Sequence, residues 1–276
     1  MGGFTACTLQ TEPSHIDVLR VSVQPHRDTE RLKDFYQPLM RYLEQELNVK
    51  VQWVSVADYQ QQLDQFHNGE VDLTLFGGYA FIKALEKDKA DPLVMRDIDF
   101  RFTSYFLVAN NNIASKVSEL KGQSFSFGSK LSTSGHIMPR FFLSTQGIVP
   151  ETFFSEVLYS NAHDTTFQLV QDGIVDVGVA NSVLIDQLLK ETKTGRNNVK
   201  ILSETPPYPN YVWAARNGLP ETLKTNIIEA FIKLSIDDKE DSKLLQKMGV
   251  NHYFPANSDD FEPIRKISHQ LDMLKT

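Results

Sequence analysis

The chain repeats a short phrase of itself. Asn68-Gly69-Glu70-Val71-Asp72-Leu73 returns as Asp172-Gly173-Ile174-Val175-Asp176-Val177, an offset of 104 residues (position 68 to position 172). Ahead of each copy lie apolar residues at helical spacing, Tyr59, Leu63 and Phe66 in the first and His163, Phe167 and Val170 in the second. Gly69 and Gly173 then fit the left-handed position that ends a helix. After each glycine comes an apolar run that reads as a strand, 71–76 and 175–180, and then a further helical pattern, 79–87 and 182–190. The echo extends backwards, with strands expected at 18–24 and 124–128 and second strands at 49–56 and 156–160. Each half therefore alternates strand and helix, a pattern that builds parallel strands joined by right-handed crossovers. The expected fold class is α/β, with two α/β lobes in one chain. The first helix holds Pro38, so it either starts near Tyr36 or kinks at the proline. Leu39, Met40, Leu43 and Leu47 form its buried stripe.

Two breaks divide the chain, Asn110-Asn111-Asn112 and Pro206-Pro207-Tyr208-Pro209. After the second, 211–215 reads as a strand returning to the first lobe. The helical pattern of Leu223, Ile227, Ile228, Phe231 and Leu234 comes after it there. The expected organisation is a flexible tether at 1–16, a first lobe of 17–108 plus 207–276, and a second lobe of 109–206. Two chain crossings form the hinge. Cys7 is the only cysteine, which excludes an internal disulfide. Small residues precede it and a polar stretch, 8–14, comes next, so the segment reads as the end of a bacterial lipoprotein signal. Cys7 is then the expected lipid attachment point, on a periplasmic or otherwise extracytoplasmic protein that meets the membrane only through that anchor. An incidental cysteine in a loose terminus is the competing reading. No apolar run approaches the roughly 18 residues of a membrane span. The net charge of −7 argues against a nucleic-acid partner, since phosphate backbones need a basic face. It leaves a small anion open, because a buried site works through local donors.

In open α/β sheets ligands sit beyond the carboxyl ends of the strands. Six loops occupy such ends: 24–28, 58–59, 77–79, 130–136, 162–164 and 181–182. The richest is Ser132-Thr133-Ser134-Gly135-His136, between a strand and the helical pattern 137–144. Three hydroxyls gathered where a helix leaves its first N–H groups unpaired suit an oxyanion, and Gly135 lets the backbone approach closely. A plain helix cap would need only one such residue. His163 and Asp164 open a second helix as a donor and a carboxylate, with Asp164 as an ordinary cap the competing reading. Gly78 and Tyr79 lie in a third loop, where Tyr79 is expected to close over the ligand with its hydroxyl or to sit in the core. Ser104 and Tyr105 lie near the first crossing, within reach of the cleft. Arg96 and Arg101, flanking Asp97 and Asp99, read as paired surface charges.

The run Phe127-Gly128-Ser129-Lys130-Leu131-Ser132-Thr133-Ser134-Gly135-His136-Ile137-Met138-Pro139, with Phe76-Gly77-Gly78-Tyr79 and Ala162-His163-Asp164, resembles the phosphate, phosphite and phosphonate substrate-binding proteins of ABC transporters. The resemblance runs from about Val18 to the C-terminus. It implies a bilobal type 2 periplasmic-binding-protein fold that closes on its ligand and hands it to a transporter permease. It also implies that Ser132, Thr133, Ser134 and His136 hold the oxyanion, with Tyr79 and His163 contributing from other loops. Asp164 is one candidate acceptor for an amine or a proton on the ligand. Arg96-Asp97-Ile98-Asp99-Phe100-Arg101-Phe102 and Thr205-Pro206-Pro207-Tyr208 resemble a branch of selenium-oxyanion carriers instead, which keeps a selenate- or selenite-type ligand as an alternative.

An enzyme would need a nucleophile with its base, a metal cluster or paired acids. Ser134 and His136 are too local for a triad, and no His/Cys spacing suggests a metal site. The expectation is a monomeric binding protein with no catalytic residues, no metal and no cofactor. A ligand-sensing lipoprotein subunit of a signalling system is the other alternative.

Overall fold

The structure is a computed structural model that describes residues 16–191 and 198–274. In chain order the first part contains β1 (Val18–Val23), α1 (Thr29–Leu47), β2 (Lys50–Trp53), α2 (Tyr59–His67), β3 (Leu73–Phe76), α3 (Gly78–Asp88) and β4 (Asp91–Arg96). The middle contains β5 (Ser104–Ala109), β6 (Ser124–Phe127), α4 (Met138–Thr145), α5 (Pro150–Phe153), β7 (Glu156–Tyr159), α6 (His163–Gln171), β8 (Val177–Asn181), α7 (Ser182–Glu191) and β9 (Val199–Glu204). The last part contains β10 (Val212–Ala215), α8 (Glu221–Lys233), α9 (Lys239–Met248), β11 (Tyr253–Pro255) and α10 (Glu262–Gln270).

The repeated phrase builds the same joint twice. Gly69 and Gly173 have φ of +70° and +69°. At the first, Gly69 N–H bonds Phe66 O at 3.1 Å and Glu70 N–H bonds Gln65 O at 2.8 Å. At the second, Gly173 N–H bonds Val170 O at 3.1 Å and Ile174 N–H bonds Leu169 O at 2.9 Å. These are two Schellman closures. The aspartates three residues after each glycine are also equivalent. Asp72 Oδ2 accepts the Arg20 N–H and Asp176 Oδ2 accepts the Ser124 N–H, each at 2.8 Å. Each aspartate bonds the neighbouring strand from just ahead of its own, and β3 and β8 begin two residues later than the apolar runs predict.

The sheets have orders β11-β4-β10-β3-β1-β2 and β7-β6-β8-β5-β9. In each, three strands are parallel, as the alternation requires. Each sheet also takes in one antiparallel strand that arrives across the hinge, β10 beside β3 and β5 beside β8. This corrects the lobe boundary: β5, expected at the end of the first lobe before residue 109, is hydrogen-bonded into the second sheet. The crossing falls near residue 103 because Phe102 and Tyr208 pair there, N–H to O in both directions at 2.8 and 2.9 Å. The two crossings thus run as a short antiparallel ribbon. Arg96 and Asp99, expected on the surface, pair beneath it at 2.5 Å with Asp99 fully buried, and Asn210 N–H bonds Asp99 O at 2.9 Å.

Helix α1 starts at Thr29, capped by Asp28, and runs through Pro38. The carbonyl of Asp34 loses its helical donor to the proline ring and accepts Lys247 Nζ at 3.3 Å instead. Trp213, Phe231, Phe261 and Ile264, from the C-terminal part of the chain, join the same buried cluster as Leu19 and Phe76. In the second lobe β5 separates two clusters, with Phe106 and Val108 on one face and Leu107 on the other.

Candidate functional site

The serine-rich loop is pinched at its base. Gly128 N–H bonds Gly135 O at 2.8 Å, and the His163 ring lies on Gly135 so closely that a Cβ there would sit 2.9 Å from His163 Cε1. Only glycine fits. Ser132 caps the turn, its Oγ accepting the Gly135 N–H at 2.9 Å. The turn itself, 133–137, is a single π-helical turn that leads into α4, a feature that recurs at functional sites. The amides of Thr133 and Ser134 lie in this first turn, with no carbonyl one turn earlier to accept them.

Two more helix starts face the loop. Gly77 precedes α3 and Ala162 precedes α6, and neither caps its helix with a side chain, whereas α1 and α2 are capped by Asp28 and Asp58. Tyr79 N–H of α3 donates to Thr133 Oγ1 at 2.8 Å across the lobes. Gly77 N–H donates to Gln24 Oε1. His163 Nε2 lies 3.4 Å from Ser134 Oγ, and its Nδ1 accepts the Asn181 N–H at 3.3 Å. Ser104 Oγ donates to Ser134 O at 2.7 Å and meets the Tyr208 hydroxyl at 2.5 Å. Ser132, Thr133 and Ser134 are each 1% exposed and His163 is fully buried. Tyr59, 2% exposed, reaches the same place from α2, near Gln24 and Ser132, and its buried hydroxyl has no hydrogen-bond partner in good geometry. Burial pushes that hydroxyl up to about 12 and holds the His163 imidazole down at about 3, so both stay neutral.

Six of the residues singled out from sequence meet here: Ser104, Ser132, Thr133, Ser134, Gly135 and His163. The others point elsewhere. Tyr79 offers its amide, but its hydroxyl donates to Met273 O at 2.6 Å, away from the loop. His136 uses both ring nitrogens as structure: Nδ1 donates to Lys130 O at 2.8 Å and Nε2 accepts Arg140 Nε at 3.0 Å. A carbonyl only accepts and a guanidinium only donates, which fixes that tautomer, and burial lowers the ring to about 4. Asp164 bonds the backbone N–H of Asp28 at 3.1 Å and of Thr165 at 2.9 Å, as a latch between lobes. Tyr105 lies on the opposite face of β5 from Ser104, packed with Leu107, because adjacent strand residues alternate. Gly78 packs against Phe261 and the Pro209 carbonyl. Cys7 lies outside the described residues. Sequence reasoning missed Tyr59, which sits on the same helical stripe as Leu63 and Phe66. Its place at a strand's carboxyl end was the one signal.

Among the described residues, no helix is long and apolar enough to cross a membrane. Among them too, no group of three or more His, Cys, Asp and Glu side chains is set to hold a metal. Two α/β lobes on a paired double crossing, closed over a crevice lined by hydroxyls and helix N-termini, are the type 2 periplasmic-binding fold of a protein that clasps a solute. The family is equally plain: residues 21–261 match the family described as ABC transporter, phosphonate, periplasmic substrate-binding protein, and the chain belongs to it. It is 28% identical over 274 residues to a probable ABC transporter phosphite-binding protein of Prochlorococcus marinus, spanning 95% of this chain and 92% of that one. A structure of the Prochlorococcus protein in complex with methylphosphonate is similar with a TM-score of 0.86, covering 93% of this chain and 99% of that one. The phosphonates-binding periplasmic protein of Escherichia coli is 22% identical over 276 residues, covering 96% of this chain and 81% of that one.

Proposed function

We propose that the chain binds a small tetrahedral phosphorus oxyanion, of the phosphonate, phosphite or phosphate type, and delivers it unchanged to the permease of an ABC importer. The observation that carries this is the convergence of the Ser132, Thr133 and Ser134 hydroxyls in one buried crevice between lobes, against the N-terminal ends of α3 and α6. Such an arrangement supplies directed donors to three oxygens around one centre. Tyr59 faces these hydroxyls, and His163 stands behind Ser134. The likeness to a methylphosphonate-bound relative supports the same ligand class.

Hydrogen or methyl on phosphorus is the expected substituent, in keeping with the phosphite named for the Prochlorococcus relative and the methylphosphonate bound in its structure. We also read the protein as an extracytoplasmic monomer anchored by lipid on Cys7. Mass spectrometry of the membrane fraction, with and without Cys7→Ser, tests that anchor. For the ligand, the test is a thermal-shift panel of phosphite, methylphosphonate, phosphate, 2-aminoethylphosphonate, sulfate and selenate, since a ligand that binds only the folded state raises its melting point. Phosphite and methylphosphonate are expected to give the largest shifts. A larger shift with selenate would replace the phosphorus reading, and release of free phosphate from an ester would overturn the non-enzymatic one.

A further inference from the structure

Every hydroxyl in the loop already receives a hydrogen bond or is positioned to. Ser132 Oγ accepts the Gly135 N–H and Thr133 Oγ1 accepts the Tyr79 N–H, at 2.9 and 2.8 Å. The third case is settled one bond further back. The Asn181 N–H lies 3.3 Å from His163 Nδ1, and an amide nitrogen only donates, so Nδ1 is the acceptor. In a neutral ring the proton is then on Nε2, which donates to Ser134 Oγ at 3.4 Å. All three hydroxyls are left with their own protons to offer, beside amides that also only donate. The carboxylates nearby are turned away, Asp164 onto Asp28 N and Thr165 N, and Asp28 onto Arg31 N. Gln24 Oε1 is taken by the Gly77 N–H.

We infer that the crevice is polarised as an all-donor cradle that selects the fully deprotonated form of its oxyanion, and that His163, oriented by Asn181, is the positioning residue that sets this polarity at Ser134. The inference rests on the proposed ligand site and deepens it. Each of these oxygens keeps a second lone pair, but using it to accept a P–OH turns its own proton away from the anion, so the singly protonated anion binds at least about tenfold more weakly than the dianion. It also replaces the expectation that Asp164 accepts a proton from the ligand.

The titratable groups around the cradle are His26 and Asp28 after β1, Tyr59 on α2, His136 within the loop beside Lys130 and Arg140, Asp164 on α6, and Tyr208 and Tyr211 from the return crossing. Burial holds His26 and His136 at about 4 and raises Tyr59 to about 12. Between about pH 5 and 9 the rings and phenols around the cradle therefore keep one protonation state, and the change belongs to the ligand.

The experiment is calorimetry with phosphite and with methylphosphonate across that range, on wild type, Tyr59→Phe and His163→Ala, with the melting point of each ligand-free variant as a folding control. In wild type, affinity is expected to fall about tenfold per pH unit below the second ionisation of each ligand, with midpoints that differ because the ligands differ. Tyr59→Phe is expected to keep that slope, since the loop hydroxyls and amides, rather than the phenol, set the polarity. In His163→Ala, Ser134 Oγ becomes free to accept a P–OH, and the slope flattens. A flat wild-type profile, one midpoint shared by both ligands, or loss of the slope in Tyr59→Phe overturns the all-donor cradle. A uniform loss at every pH in His163→Ala overturns the role of His163. Should that variant not fold, the wild-type and Tyr59→Phe profiles still decide the polarity. Absence of saturable binding at every pH would instead defeat the proposed function itself.

Discussion

Thr133 does two things with one oxygen: it accepts an amide from the opposite lobe and presents its proton to the crevice. With Ser132 it forms the centre of the proposed site. Charge-assisted hydrogen bonds contribute about 1.5–3 kcal/mol each. The double substitution Ser132→Ala, Thr133→Ala is therefore expected to raise Kd at least about tenfold in a folded protein, measured by calorimetry. The hydroxyls were legible in the sequence because three of them before a glycine exceed what a cap needs. The side chain of His136 was not, because a π turn holds one more residue than an α turn and rotates the side chains after it. Nor was the Tyr79 hydroxyl, whose partner Met273 lies 194 positions away. The buried histidines carry a stability signature of their own. His136 and His163 are held at about 4 and about 3, below their unfolded value. As pH falls from about 6.5, the unfolded chain takes up protons that the folded one refuses. Stability is fully present above that pH and is expected to decline by up to about 3 kcal/mol per pH unit on the way down, with partly exposed His26 adding less. Denaturant melts between pH 7 and 4.5 check this; a flat midpoint would show that the rings charge freely in the folded state.

At the scale of elements, the two Schellman joints are the same device, yet their aspartates differ in burden. Asp72 is 2% exposed and holds the Arg20 guanidinium at 2.7 Å and that of Arg216 at 2.6 Å, besides the Arg20 amide. Burial alone would raise its carboxyl; the arginines hold it below its usual range. Asp176 is exposed and meets only Ser124. Asp72→Ala is expected to cost about 2–3 kcal/mol, since it leaves two guanidinium groups unpaired, while Asp176→Ala is expected to cost under about 1 kcal/mol. Urea melts of the pair check it, and equal losses would mean that the joint, rather than the ion pairs, carries the effect. Helix and strand positions were legible from the echo because apolar spacing is local. The antiparallel insertion of β5 and β10 was not, because a strand's apolar pattern reads the same in either direction. The helix through Pro38 likewise depends on a lysine 213 positions from the carbonyl it rescues.

At the scale of the molecule, closure has its own contacts, independent of the cradle hydroxyls. His163 N–H bonds His26 O at 3.1 Å, and Asp28 N–H bonds Asp164 Oδ2 at 3.1 Å. The ligand binds best to whatever fraction of molecules is closed. Asp164→Ala removes one exposed latch, worth about 0.5–1 kcal/mol, so Kd is expected to rise about two- to fivefold, mainly through faster release. Stopped-flow release of methylphosphonate measures this; an unchanged release rate would show that the latch forms only after the ligand is committed.

The exchange of strands across the hinge also dictates an order of assembly. The second lobe is one unbroken stretch, from β5 through β9, and every strand of its sheet is in hand once that stretch has been made. The first lobe is not. Its strand β3, buried along its whole length, has no neighbour on one side until β10 is synthesised, some 140 residues later. A chain emerging from the ribosome can thus complete its second lobe while the first still shows an open edge of Leu73-Thr74-Leu75-Phe76. A chain truncated near residue 206 is expected to resist protease across the second lobe while being cut within the first. The lobe that is written first is finished last.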